Sequence, residues 1–371
     1  TFSSYFIILF KKKKIINKNK SFLYGWFFGF GYFLTNLYWI TISLSFDENF
    51  EFLIPFALVL IPAFLATFYG LITYIFFKIS IEKPLSNLFL FVLLFGVVEF
   101  LRGTLLTGFP WNLIVYSFSN ILEFIQVTSL IGTYALNILC ITFFTIPAIF
   151  ILKENKKEFF ISIIFLLLPF VLFFSGSNKI KSFQSLKVIK NDHVIRAVGS
   201  KINLDRFYGN VNSTTVIDEL IELSDPDFST KTLFLWPEGI IPNINQNELK
   251  EFGYIFNQNF NENHLLAIGI NSLRKDNNKN KFYNSFSVYD HKLKLVHSYD
   301  KIKLVPFGEF LPFEKIFGKI GLKSLTNNYQ SFSNGKTRDI ITIKENQFNI
   351  RILPLICYEV IYSGKLFENS N

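Results

Sequence analysis

Residues 158–178 read EFFISIIFLLLPFVLFFSGSN, an apolar run from Phe159 to Phe174 that closes on Ser-Gly-Ser-Asn. A helix needs about 20 such residues to cross the hydrocarbon of a bilayer. The run is also a watershed. Upstream of it the chain is dominated by long stretches rich in Phe, Ile and Leu, and downstream by charged and polar sequence with short apolar runs. The pattern predicts two regions: a transmembrane helical region over 1–176 and a water-facing domain over 177–371.

Toward the N-terminus, four more apolar runs have the length of spans, at roughly 21–44, 53–80, 85–101 and 122–152, and Phe6–Phe10 reads as the tail of an earlier one. The charges between the runs alternate. Lys11 to Lys20 come first, then Asp47, Glu48 and Glu51, then Lys78 and Lys83, then a neutral Gly-rich segment, then Lys153, Lys156 and Lys157. Lysine-rich loops stay in the cytoplasm, so the run from 158 to 175 leads outward and the polar half is expected on the extracytoplasmic side. The same loops account for much of the formal charge of +9 and make nucleic acid an unsuitable partner. The chain has no Met and starts at Thr1 inside an apolar run, which reads as a segment whose natural start lies upstream. A signal peptide does not fit, because Lys11 to Lys14 follow the apolar stretch instead of preceding it.

One part of the helical half is not generic. Glu99, Arg102 and Gly103 lead into Gly108-Phe109-Pro110-Trp111-Asn112, with Gln126 in the next run. Ionisable groups near a span are paired or functional. Two readings stand side by side: a functional motif, or a Glu99–Arg102 pair three residues apart on one helix face with Trp111 as an interfacial anchor.

In the polar half, β-type runs at 188–198, 232–236, 265–270, 282–289, 293–299, 339–343 and 350–356 are interleaved with helical patterns at 213–223 and 246–258. That order predicts an α/β layered domain. Three polar side chains each follow the end of an apolar strand: Glu238 in Leu235-Trp236-Pro237-Glu238, Lys301 after Tyr299-Asp300, and Cys357 after Leu355-Ile356. Strand ends are where such sheets gather their sites. A carboxylate, an ammonium and a thiol suffice for acyl transfer: Glu takes the thiol proton, the thiolate attacks a carbonyl and Lys stabilises the oxyanion. Neither a metal nor an organic cofactor is called for. Singly, Glu238 could cap a turn, Lys301 could be solvated and Cys357 could be a small buried residue. Only two cysteines occur. Cys140, inside an apolar run, reads as a small core hydrophobe, whereas an unpaired Cys357 in an oxidising compartment is a liability without a chemical role.

These residues also carry a resemblance. Trp236-Pro237-Glu238, Tyr299-Asp300-Lys301 with Leu304-Val305-Pro306-Phe307-Gly308-Glu309, and Cys357-Tyr358-Glu359 resemble the nitrilase superfamily. Coupled to the multi-span region with Glu99, Arg102 and Gly108-Phe109-Pro110-Trp111, they are similar to the apolipoprotein N-acyltransferase family over nearly the whole chain. The resemblance implies a multi-pass protein of the bacterial inner membrane with an α-β-β-α sandwich on the periplasmic side. It implies transfer of an acyl chain from a phospholipid to the N-terminal diacylglyceryl-cysteine of an apolipoprotein, through a Cys357 thioester, with no cofactor. Glu238 would be the base, Lys301 the oxyanion cation and Cys357 the nucleophile. Glu309 would assist them or order its loop, Tyr358 and Glu359 would shape the pocket, and the Tyr358 N–H would donate to the oxyanion. Leu304–Phe317 is a candidate lid. The family's Trp after the first strand has Phe207 and Tyr208 in its place, and the sandwich and a final span are expected to be incomplete at Asn371. Two other readings are a membrane-tethered amidase acting on a small C–N substrate, which lipid dependence would separate, and a silent membrane scaffold, in which Cys357 would be no more reactive than a buried thiol.

Overall fold

The apolar runs of the first half are helices in the computed structural model of the chain, which describes residues 1–13, 15, 17–46, 48–186, 192–199, 211–276, 279–317, 331–345 and 348–362. The chain divides into two compact units, Thr1–Lys187 and Val188–Asn371. Phe207 and Tyr208 lie outside the described residues.

The first unit contains α1 (Phe2–Lys12), α2 (Lys18–Leu37), α3 (Ile54–Ile79), α4 (Pro84–Arg102), α5 (Leu122–Ile125), α6 (Thr128–Thr145), α7 (Pro147–Leu152) and α8 (Lys156–Gln184). Five stretches, Lys20–Ser45, Phe50–Ile79, Pro84–Arg102, Thr128–Leu152 and Lys156–Gln184, are long and apolar enough to cross a membrane. Helical periodicity decides which side chains each one buries. On α4 the stripe Leu88, Phe91, Val92, Phe95, Val98 is buried in an aromatic-rich core with Phe6, Phe33, Tyr69 and Phe76, and its continuation carries Glu99 and Arg102 inward on the same face. On α8 the stripe Phe160, Ile164, Leu167, Val171 and Phe174 is more than half exposed at every position. A continuous apolar surface of that kind is a liability in water and the ordinary surface of a helix in lipid. The helices therefore fit a membrane region.

Two expected boundaries are corrected. The run at 122–152 is not one straight helix: α5 is a separate turn, α6 contains a non-helical Gly132 (φ 76°, ψ 170°), and α7 restarts at Pro147, which has no N–H to continue the preceding hydrogen-bond ladder. Conversely, Ser175-Gly176-Ser177-Asn178 does not stop α8, which continues to Gln184. Gly176 serves packing here, because a Cβ at this position would lie 1.7 Å from the Glu123 carbonyl oxygen of α5.

In the second unit the sheet order is β1 (Val194–Ala197), β2 (Thr232–Trp236), β3 (His264–Asp276), β4 (Lys279–Asp290), β5 (Leu295–Asp300). The first three strands are parallel, and β3, β4 and β5 form an antiparallel meander. Alternation along each strand sorts its side chains between two cores. Phe234, Trp236, Leu266, Ile268 and Ile270 pack with α9 (Ser213–Ser224) and α10 (Gly253–Asn259). Leu233, Leu265, Ala267, Val288 and Tyr299 pack on the other side with β6 (Ile341–Ile343) and β7 (Ile350–Ile352), an antiparallel pair. Burial on both faces explains why β2 and the start of β3 are apolar at successive positions. The described layers are thus helices, a mixed five-stranded sheet and a two-stranded sheet. The outer helical layer expected of an α-β-β-α sandwich is not represented among the described residues.

The close approach at Gly176 is testable. Gly176→Ala is expected to destabilise the detergent-solubilised protein by about 1–3 kcal/mol, the range for overpacking, read as a lowered thermal midpoint. Gly31→Ala, inside α2 where an added Cβ meets nothing within 4 Å, is expected to leave it no lower, because alanine favours the helix.

Candidate active site

Three chain ends in the second unit deliver the candidate residues. β2 stops because Pro237 has no N–H for the ladder, and Trp236 is held by its Nε1–H donating to Ser224 Oγ at 2.9 Å. The turn that follows lies against Gly269 of β3: a Cβ there would sit 2.5 Å from the Glu238 Cα, so only glycine lets the Glu238 backbone pack this closely. Beyond β5 the ladder extends one residue further, with the Lys301 N–H donating to the Asn284 carbonyl at 2.8 Å. Its neighbour Asp300 is fixed by both Arg274 nitrogens (2.6 and 2.9 Å) and by Ser285 Oγ (2.8 Å). After β7, residues 353–356 lead into Cys357, which opens a 3-10 turn over Cys357–Ile361 and adopts a left-handed backbone (φ 46°).

These ends converge. The Lys301 side chain is 1 % exposed, and its Nζ lies 3.0 Å from Glu309 Oε1 and 3.4 Å from Glu238 Oε1. Asn284 Nδ2 donates to both carboxylates, at 2.7 Å to Glu309. Glu309 also accepts the Val305 N–H through Oε2 at 2.7 Å, so it orders its loop and contacts the ammonium at once. Cys357 is exposed, and its thiol lies within electrostatic reach of Glu238, Lys301 and the Tyr358 N–H. Partial burial and then the negative charge of Glu238 push the thiol above the ordinary cysteine range, while Lys301 and the Tyr358 N–H pull the other way. Burial works against the Lys301 ammonium, but Glu238 and Glu309 more than offset it and raise its pKa. At neutral pH the site therefore holds a neutral thiol beside an ammonium.

Tyr358 is buried and makes an edge contact with Tyr362 at 5.2 Å. Glu359 is 1 % exposed. Its Oε1 accepts from the Tyr299 hydroxyl (2.8 Å), from the Ile302 and Lys303 N–H groups (2.9 and 3.2 Å) and from Arg338, and its Oε2 accepts the Ile356 N–H (3.0 Å). Glu99, Arg102 and Trp111 lie in the first unit. There Arg102 pairs with Glu99, and its Nη1 donates to the Phe109 and Trp111 carbonyls (2.6 and 2.9 Å). Tyr69 donates to Glu99 at 2.7 Å, and the Trp111 ring meets Trp39 edge-on at 5.8 Å. Cys140 is fully buried in the helical core. Among the described residues no group of three or more His, Cys, Asp and Glu side chains is arranged to hold a metal ion.

Asn284 and Arg338 escape the sequence reading. Asn is disfavoured inside a strand, so an Asn within Phe282-Tyr283-Asn284-Ser285-Phe286 was a signal available in the sequence. Arg338 lies in a loop and has no such signal.

The charges around Cys357 predict the pH at which it is alkylated. With iodoacetamide, the midpoint for Cys357 is expected above that of a free cysteine. Glu238→Gln is expected to move it down, by removing the negative charge, and Lys301→Met to move it up. Peptide mapping of alkylated protein across a pH series measures both directions.

A family model described as apolipoprotein N-acyltransferase N-terminal domain matches residues 2–146. Among curated relatives, the apolipoprotein N-acyltransferase of Brucella melitensis is 30 % identical over 354 residues, covering 92 % of this chain and 64 % of the relative. Those of Rhodopseudomonas palustris and Rhizobium rhizogenes are 30 % and 28 % identical over 359 and 358 residues, covering 94 % and 93 % of this chain. The chain spans 64–66 % of the length of these three relatives. One family's relatives thus match over the helical unit and over the unit that holds Glu238, Lys301 and Cys357, and the chain is similar to the apolipoprotein N-acyltransferases along nearly its whole length.

Proposed function

We propose that this chain carries the machinery for N-acylating the diacylglyceryl-cysteine at the N-terminus of apolipoproteins, with a phospholipid as acyl donor and a Cys357 thioester as the intermediate. One observation carries the reading: a thiol, a carboxylate and a buried ammonium meet at the end of a mixed sheet, in a chain whose described residues also include five helical stretches of membrane-spanning length. The relatives' name supplies the acceptor class.

In the first half-reaction Glu238 takes the Cys357 proton. Lys301 and Asn284 both bind Oε1, so Oε2 is the oxygen for that proton. The thiolate attacks the ester carbonyl of the phospholipid, and the oxyanion is met by the Lys301 ammonium and the Tyr358 N–H. Collapse breaks the ester C–O bond, and the leaving alkoxide takes the proton from Glu238 and departs as lysophospholipid. In the second half-reaction the lipoprotein amine attacks the thioester, Glu238 takes its proton, and collapse expels the thiolate, which recovers that proton. Bonds and protons balance with no further reactant. Glu309 holds Lys301 and the Val305 turn, Tyr358 packs beneath the nucleophile, and Glu359 braces the turn.

The reading places the second unit on the periplasmic side of the inner membrane as a nitrilase-like domain, supported by the lysines at 11–20, 78–83 and 153–157. Phe307 and Phe313, 46 % and 67 % exposed, support the loop from Leu304 to Phe317 as the part that meets lipid.

The test is intact mass spectrometry of the full-length gene product after incubation with phospholipid. An acyl adduct released by hydroxylamine is expected on the parent protein and absent from Cys357→Ala. Folded protein that gives no adduct with any phospholipid would overturn the acyl-donor assignment and leave a membrane-tethered amidase acting on a small C–N substrate.

A further inference from the structure

The Glu359 carboxylate is 1 % exposed and cannot remain ionised there without compensation. Its compensation comes from Arg338, 5 % exposed, which donates from Nη2 to Oε1. Arg338 Nε donates to the Tyr299 hydroxyl at 3.1 Å, its guanidinium lies 5.7 Å from the Tyr299 ring centroid, and that hydroxyl in turn donates to Glu359. The remaining acceptor capacity of Glu359 is spent on three backbone N–H groups, and their positions matter. Ile302 and Lys303 directly follow Lys301, and Ile356 directly precedes Cys357. One carboxylate thus ties the chain that carries the ammonium to the chain that carries the thiol.

We propose that Arg338 and Tyr299 are positioning residues of the reaction: by holding the Glu359 carboxylate they fix the Lys301 and Cys357 segments against each other and so set the field at the sulfur. The proposal rests on the reading of Glu238, Lys301 and Cys357 as the reacting set. Arg338 and Tyr299 both act through Glu359, to which each donates a hydrogen bond. The chemistry of the clamp agrees with this role. Burial and the bond to Glu359 raise the Tyr299 pKa, which keeps its hydroxyl a donor, and the raised Arg338 pKa keeps its charge in place against the cost of burial. Removing the guanidinium leaves a buried carboxylate short of its counter-charge, and the least costly relief is for Glu359 to move toward water. That movement releases Ile302, Lys303 and Ile356 together and separates Lys301 from Cys357.

The test uses the full-length protein in detergent, with Arg338→Met, Arg338→Lys and Tyr299→Phe, each checked for folding by gel filtration and thermal midpoint. Two readouts are taken: the pH dependence of Cys357 alkylation by iodoacetamide, and the initial rate of acyl-adduct formation against phospholipid concentration. In folded Arg338→Met the alkylation midpoint is expected to rise, because Lys301 no longer draws the thiol down. The saturating acylation rate is expected to fall on the order of 10²-fold, the cost of a misplacement of about 1 Å, with the half-saturating phospholipid concentration unchanged. Arg338→Lys should recover part of both, and Tyr299→Phe should shift both in the same direction by less. If Arg338→Met does not fold, Tyr299→Phe decides. A folded variant with the parent's midpoint and acylation rate would overturn the proposal, because a brace that only supports the fold changes the folded fraction and not the reactivity of the folded thiol. The alkylation arm needs no acyl donor. A parent protein that forms no adduct therefore sinks the acyl-transfer reading while the clamp is still judged on the midpoint.

Discussion

An ammonium withdrawn from water has to be paired, and the second unit is organised around one. Lys301 is nearly inaccessible, and its partners arrive from separate parts of the chain: Glu238 from the end of β2 and Glu309 from the loop after β5. Stripping one partner from a buried pair typically costs about 3–5 kcal/mol, so these segments are held to one geometry. Two carboxylates against one ammonium leave a surplus of negative charge. Asn284 eases it by donating to both, and the Val305 N–H takes the far oxygen of Glu309. What remains acts on Cys357. Beside a net negative cluster the thiol stays protonated at rest, and in the proposed mechanism its transfer of a proton to Glu238 would become favourable only as charge develops on a substrate oxygen near Lys301.

The same constraint recurs twice away from Lys301. In the helical unit, Arg102 is 2 % exposed and Glu99 is fully buried, and the pair is completed by Tyr69 and by the Phe109 and Trp111 carbonyls. Pairing alone was one of the two sequence readings for these residues. The structure adds that the guanidinium donates to two carbonyls of the loop after α4, groups that would need another partner in an apolar setting. In the second unit, Arg338 and Glu359 repeat the device with backbone N–H groups in place of carbonyls. In each case a buried charge pair is useful because its spare hydrogen-bonding capacity fixes irregular chain.

The division between what was legible in the sequence and what was not follows from how each feature is encoded. Apolar runs and strand alternation are local, so five spans and most strands were readable, with β2 expected and found at Thr232–Trp236. The strand-end positions of Glu238, Lys301 and Cys357 were readable because each follows an apolar run, and the structure brings the three side chains together. Where a glycine or proline could serve either packing or chain reversal, the local signal was ambiguous: Gly176 packs where a stop was expected, and Gly132 and Pro147 interrupt what reads as one span. Asn284, Arg338 and the inward turn of Glu359 depend on pairings across 25, 21 and 57 positions of the chain, which no local pattern encodes.

The backbone of Cys357 connects these points. A non-glycine residue in the left-handed region costs roughly 1–2 kcal/mol, and such a conformation persists only where its surroundings over-determine it. Here they do. The chain arrives extended from β7, Glu359 Oε2 accepts the Ile356 N–H before the sulfur, and the Glu359 N–H returns to the Ile356 carbonyl at 3.1 Å after it. The result is an exposed thiol on a turn pinned from both sides by Glu359. A two-step acyl transfer needs this rigidity more than a single displacement does. On the proposed thioester route the oxyanions of both half-reactions would form at the same carbon, so one amide and one ammonium would serve both only if the thioester held the sulfur where the thiolate left it.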